Sequence, residues 1–217
     1  MTVLLLGGTG RTGKLILSEL LARGHAVKVI VRNKNKISIN SPVLAVFEGS
    51  TLDETLMRSA MNGCDAVISA LNISRYSDFP WSRLRTPELL MSATIKNVIA
   101  IAKEMKLKRV IVLSAWGVNE TMADIPWWFR WTIRYSNIKY GYLDHGRQED
   151  LLAASDLDWT AVRPVGLINS KAKKEIKVIL NRKDKPSIII SRLDVARFAV
   201  KILEENTFLR LAPAISW

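Results

Sequence analysis

At 217 residues, 48% of them apolar, the chain is long enough to bury a full α/β core, yet no apolar run approaches the roughly 18 residues that a membrane-spanning helix needs. A single cysteine, Cys64, excludes an intrachain disulfide and points to a reducing compartment; with a core strand starting at Thr2, no signal peptide is expected and the cytoplasm is the inferred location. The net charge of +12 is dispersed over Lys34 and Lys36, Lys103 to Arg109, Lys171 to Lys177 and Arg182 to Lys185 without any nucleic-acid-binding signature, which implies solvated faces and attraction for a small polyanion.

The chain opens on an apolar run, Thr2-Val-Leu-Leu-Leu, that leads straight into glycines at Gly7, Gly10 and Gly13. An amphipathic helix follows at once, with Ile16, Leu17, Leu20 and Leu21 as its apolar stripe, and Gly24 closes it. Strands are expected at Val27–Val31 and Val43–Phe47, a short helix at Asp53–Ala60, and a fourth strand at Ala66–Leu71, continuously apolar as buried parallel strands are. Ile95, Val98, Ile99 and Ala102 stripe a long helix that Pro87 opens and Lys106-Leu107 closes. A fifth strand at Arg109–Leu113, a helix near Gly141–Ala154 and a sixth strand at Trp159–Arg163 complete the alternation. Beyond Pro164 the rhythm breaks into extended pieces near Ile176–Leu180 and Ser187–Ile190 and a helix from Arg192 to Glu204. This order predicts an α/β doubly wound parallel sheet as one domain over residues 1–217 with a small C-terminal extension on the substrate side.

Glycine is needed where a chain turns with unusual φ or where backbone must approach a ligand with no Cβ in the way. The helix that starts at the turn aims free N–H groups and its positive dipole end into it, so the expected occupant is a phosphate, here of a dinucleotide. In sheets of this kind ligands sit at the carboxyl ends of the strands. Arg32 ends the second strand, 19 residues past Gly13, where an NAD enzyme usually carries an acid for the ribose hydroxyls. Its planar fork suits a 2′-phosphate instead, and Arg11 in the glycine turn points to the same role, so NADP(H) is the expected cofactor. Ala70, Leu71 and Asn72 end the fourth strand with groups that let backbone pass beside a ribose. Ser114 ends the fifth, where its hydroxyl is either a substrate or nicotinamide ligand or a turn cap.

Gly7-x-x-Gly10-x-x-Gly13, Val31-Arg32, Phe47-Glu48-Gly49, Asp65-Ala-Val-Ile68, Leu113-Ser114-Ala115, Asp158-Trp-Thr-Ala-Val-Arg163-Pro164 and Ile190-Ser191-Arg192-x-Asp194-Val195-Ala196 follow one another across nearly the whole chain. Together they resemble the atypical short-chain dehydrogenase/reductases, and most of all their flavin reductase/biliverdin-IXβ reductase branch. The resemblance implies a Rossmann fold and NADPH held by Gly7, Thr9, Gly10, Arg11, Thr12, Gly13, Arg32, Ser50, Ala70, Leu71, Asn72, Ser114, Ala115 and Pro164, below a shallow substrate site. No metal is implied. The family commonly has Asp where this chain has Ser50. In the wider superfamily a Tyr-x-x-x-Lys pair assists the serine, and a helix glutamate follows the lysine by four residues. Counted back from Glu149, His145 falls in the lysine place and Gly141 in the tyrosine place. Tyr135-x-x-x-Lys139 spells the pair but is out of register with Ser114 and with Arg163-Pro164. The similar branch has histidine at the place of His145, which with Ser114 makes up the expected catalytic set; the alternative for His145 is a structural role.

Five of the seven tryptophans, Trp81, Trp116, Trp127, Trp128 and Trp131, follow the fourth and fifth strands, where a substrate arrives. Trp116, Trp127, Trp128 and Trp131 with Arg130 are candidates for a wall that stacks on a flat conjugated acceptor and holds its acidic tail. A helix packing its aromatic face into the core, a subunit contact and, more remotely, a membrane surface are the alternatives. The expected function is NADPH-dependent hydride transfer to a flavin, bilin or quinone. Two alternatives stay open: a non-catalytic NADP(H)-binding sensor, and a carbonyl reductase or epimerase that uses Tyr135 and Lys139.

Overall fold

Val3 to Leu6 are fully buried, four apolar residues in succession, which only a strand covered on both faces permits. The computed structural model describes residues 1–181 and 184–217, so Arg182 and Lys183 of the last basic run lie outside the described residues. It contains β1 (Thr2–Leu6), α1 (Gly13–Ala22), β2 (Ala26–Val31), β3 (Leu44–Glu48), α2 (Glu54–Met61), β4 (Ala66–Ser69), α3 (Leu90–Met105) and β5 (Arg109–Leu113). There follow α4 (Trp127–Tyr135), α5 (Ile138–Ala153), β6 (Asp158–Pro164), β7 (Gly166–Ile168), β8 (Lys177–Ile179), β9 (Ile189–Ser191), α6 (Arg192–Glu204) and β10 (Ala214–Ser216).

The main sheet runs β3-β2-β1-β4-β5-β6-β10-β8, parallel throughout except for the β10–β8 edge. Its first six strands follow the doubly wound order, with the reversal between β1 and β4 opening a crevice at their carboxyl ends. Because side chains alternate along a strand, β1 feeds two cores. Val3 and Leu5 pack with Ile16, Leu17 and Leu20 of α1 and with the apolar face of α6. Leu4 and Leu6 pack on the other side with Met57 of α2 and Ile95 and Val98 of α3. The broken rhythm after Pro164 corresponds to the small parallel pair β7–β9 and to β8, which joins the sheet edge.

Three buried polar contacts set the helices that frame the crevice. Leu89 gives α3 no side-chain cap, but Asp144 of α5 takes that place and accepts from Met91 N at 2.7 Å and Ser92 N at 3.4 Å. Glu149 of α5 is clamped by Arg163 of β6, with Nε–Oε1 at 3.0 Å and Nη2–Oε2 at 2.6 Å, while Glu120 also pairs with the same guanidinium. Burial works against the Arg163 charge, yet these carboxylates hold its pKa above the ordinary arginine value. At α6, Ser191 accepts from Asp194 N at 2.9 Å and donates to Asp194 Oδ2 at 2.8 Å. The Arg-Pro and Ser-Arg-x-Asp elements thus hold α5 and α6 in place.

Some boundaries differ from the sequence expectation. The fourth strand stops at Ser69, and Ala70 and Leu71 form the loop beside Gly7, with Ala70 N still bonded to Leu6 O at 2.9 Å. The long helix begins at Leu90, three residues past Pro87. The tryptophan-rich segment is a helix, α4, and β10 was not anticipated, because a three-residue strand carries no periodicity to read.

Candidate functional site

The crevice is a groove of about 780 Å³ across the carboxyl ends of the parallel strands. Its base is the glycine turn. Gly7 has φ of +80°, and a Cβ there would meet the Ala70 carbonyl at 2.8 Å. At Gly13 a Cβ would lie 2.1 Å from Gly7 O, so this glycine lets α1 close onto the turn. A Cβ on Gly10 would meet Gly7 O at 3.2 Å, and its position is exposed to the groove. Thr12 precedes α1 without a side-chain cap and no acid stands in the first turn, which leaves the positive helix end to a ligand.

Gly7, Thr9, Gly10, Arg11 and Thr12 line the groove, as do Arg32 and Ser50 at the ends of β2 and β3. Ala70, Leu71 and Asn72 follow from β4, Ser114 from β5 and Pro164 from β6. Gly13 and Ala115 are not part of this lining. The charge is one-sided: Arg11, Arg32, Lys36, Arg75, Arg85 and Arg192 face the groove against one carboxylate, Asp78. Arg11 grips Asp78 through two bonds of 3.0 Å, which hold the Asp78 carboxyl below its ordinary pKa. Burial lowers the Arg192 pKa, and the nearby Arg11 charge adds to this. Arg32 makes no ion pair among the described residues.

Ser114 and His145 both line this groove. Ser114 Oγ is buried and has no hydrogen-bond partner among the described residues, although the residue's N–H is fixed on Val162 O at 2.7 Å. A hydroxyl used only as a turn cap would not be left so. Gln148 determines the state of His145. Its Nε2 lies 3.1 Å from Leu113 O and 2.8 Å from His145 Nδ1. A carbonyl only accepts, so the amide nitrogen must face Leu113, and its second hydrogen goes to Nδ1. Burial pushes the His145 pKa down to about 4. The neutral ring therefore carries its proton on Nε2, an atom without a partner among the described residues, and can donate into the groove.

Other expected site residues lie outside the groove. Trp127, Trp128 and Trp131 project outward from α4 at 75%, 57% and 53% exposure, Arg130 is also exposed, and none of the four lines the groove. Ile133 is the residue that α4 buries, so its tryptophans form neither a groove wall nor a core face. Trp116 packs against the core on the α6 side instead. Tyr135 and Lys139 sit on separate helices outside the groove lining, with Tyr135 exposed and Lys139 Nζ 5.1 Å from the Tyr140 ring centre. Gly141, in the tyrosine place, lies beside Asn72, where an added Cβ would be 3.5 Å from Oδ1. Sequence reasoning missed Arg75, Asp78, Arg85 and Gln148, whose loop or helix positions carry no motif. Arg192 did stand within a quoted motif, and the doubly wound order could have placed it near the groove.

A glycine turn closing on a helix start, below a cationic groove at the switch point of a doubly wound sheet, defines a dinucleotide-binding protein of the Rossmann class. The chain belongs to the NAD(P)H-binding family, whose profile matches residues 7–206. It is 28% identical over 216 residues to the oxidoreductase stcQ of Emericella nidulans, covering 93% of this chain and 76% of the relative. The fold is similar to that of ChuY, an anaerobillin reductase from Escherichia coli O157:H7, at TM-score 0.82 and 18% identity over 100% of this chain and 97% of that one. A short-chain dehydrogenase/reductase from Veillonella parvula, solved in complex with NADP, matches at TM-score 0.79 and 18% identity over 100% and 94% of the two chains. The likeness to atypical short-chain dehydrogenase/reductases thus holds at the level of the fold, and by family the chain is an NAD(P)H-binding protein.

Proposed function

We propose that the protein is an NADPH-dependent reductase of a flat conjugated acceptor of the flavin, bilin or quinone type. The observation that carries this reading is the groove lining, to which Ser114 and His145 contribute two neutral hydrogen-bonding groups while the Tyr135–Lys139 pair stands outside. The glycine turn fits a pyrophosphate, and Arg32 with Lys36 fits a 2′-phosphate at the end of β2. NADPH held there supplies the hydride. The Ser114 hydroxyl orients the acceptor or the nicotinamide amide, and His145 Nε2–H donates a hydrogen bond to the acceptor without giving up its proton. Conjugated acceptors of this class can take their proton from water, which suits a site where burial keeps His145 neutral. The fold likeness to an anaerobillin reductase supports keeping bilins in the acceptor class. A reducing, cytoplasmic location is supported by the lone thiol Cys64; no helix among the described residues is long and apolar enough to cross a membrane.

Steady-state oxidation of NADPH by the purified protein with FMN, a bilin and a soluble quinone tests the proposal. Turnover of at least one acceptor is expected. Tyr135→Phe should retain most of it, and Ser114→Ala should lower kcat more than it raises KM, since an orienting bond matters most in the transition state. NADPH binding with no turnover of any acceptor would hand the protein to the non-catalytic sensor reading. Ketone reduction abolished by Tyr135→Phe would restore the Tyr–Lys chemistry.

A further inference from the structure

The aromatic residues that the groove leaves unused form a surface of their own. On α4, Trp127, Trp131 and Tyr135 recur at four-residue spacing and make one ridge, with Trp128 beside it. Arg130 and Arg134 form the neighbouring row, and Phe129 and Ile133 face inward, Phe129 meeting Tyr142 edge-on at 6.3 Å. A second segment extends the ridge: Phe79 and Trp81 are 63% and 46% exposed, with ring centres 5.3 Å apart. Trp81 Nε1 donates to Tyr135 O at 2.8 Å and Asn137 Nδ2 to Trp81 O at 3.0 Å, which locks the two segments into one platform.

We infer that this platform docks the protein on an anionic lipid bilayer. Tryptophan and tyrosine pair an apolar ring with a polar edge, which suits the headgroup boundary, and basic side chains alongside meet the lipid charge. The electrostatics complement such a surface: residues 127–135 carry two arginines and no acid, in a chain of net charge +12. The shape fits as well, since no residue of α4 lines either principal cavity and a convex ridge suits a flat partner. A second copy is disfavoured, because a two-fold contact would set this basic ridge against itself. The inference does not depend on the acceptor proposed above.

Flotation of the full-length protein with vesicles tests it. The parent should float with vesicles of equal parts phosphatidylglycerol and phosphatidylcholine, should stay behind with pure phosphatidylcholine, and should be released by high salt. Trp127→Ala/Trp131→Ala keeps the charge and should lose on the order of tenfold in partitioning. Arg130→Ala/Arg134→Ala should lose more, at about fivefold per basic residue. Lys171→Ala/Lys173→Ala, on a different exposed segment, should float like the parent. Thermal melts and NADPH titration should match the parent for all three variants. No flotation of the parent, equal flotation of the tryptophan variant, or a dimer that this variant dissolves would each overturn the inference, the last by showing that a second copy covers the ridge.

Discussion

Arg32 stands one residue past β2, exposed and without an ion pair among the described residues, so its guanidinium is free to receive a phosphate. Arg32→Ala should weaken NADPH by about 1.5–3 kcal/mol, the worth of charge-assisted bonds to an anion, and leave NADH nearly unchanged. Parallel titrations with the two cofactors check this, and equal affinities in the parent would remove the assignment. His145 is set by its neighbours in the opposite sense, toward neutrality. Its pKa falls from the ordinary 6.5 to about 4 on burial, so between these values the unfolded chain binds a proton that the folded one refuses. Stability therefore rises with pH through that window, and it is lost as pH falls from about 6.5 to 4, by roughly 3 kcal/mol in all. Urea denaturation of the parent and of His145→Asn at both ends of the window measures the effect: the variant should show the smaller acid loss by about that amount.

The β1–turn–α1 unit contains glycines with different physical duties. A Cβ at Gly13 meets the backbone of Gly7 at 2.1 Å, and neither partner is a flexible side chain, so Gly13→Ala should displace α1 and lower the melting temperature. Gly10 faces the groove, where its Cβ meets Gly7 O at 3.2 Å. Gly10→Val should leave the melt close to the parent's while abolishing NADPH binding, because the branched side chain fills the place of the pyrophosphate. Calorimetric titration alongside thermal melts of both variants separates the two roles; intact binding by Gly10→Val would refute the cradle.

At the scale of the molecule, part of the basic surplus stands where it acts on a ligand, with six cationic side chains and one carboxylate along the groove. Field lines from such a cleft steer an anion, and salt screens them. The association rate of NADPH should fall at least about tenfold from low to high ionic strength, and stopped-flow fluorescence would measure it. A rate indifferent to salt would mean that the cations are held by the protein's own groups.

The sequence by itself determined the alternation of strands and helices, the glycine turn, the arginine at the end of β2 and the serine at the end of β5. Each of these is a local signal, a period or a spacing that neighbouring residues enforce. Only the tertiary structure decided what the unpatterned residues do. Asp144 caps α3 across 53 residues of chain, Gln148 reaches 35 residues back to Leu113 O and fixes the His145 proton, and Arg192 arrives from the start of α6. The same holds for the tryptophans of α4. Their spacing shows a helix ridge, but its direction was settled by Phe129 and Ile133, which turn inward and leave the indoles outside. Composition cannot tell a pocket wall from an outer surface, because both use large aromatic side chains; the difference lies in which neighbouring element each face meets.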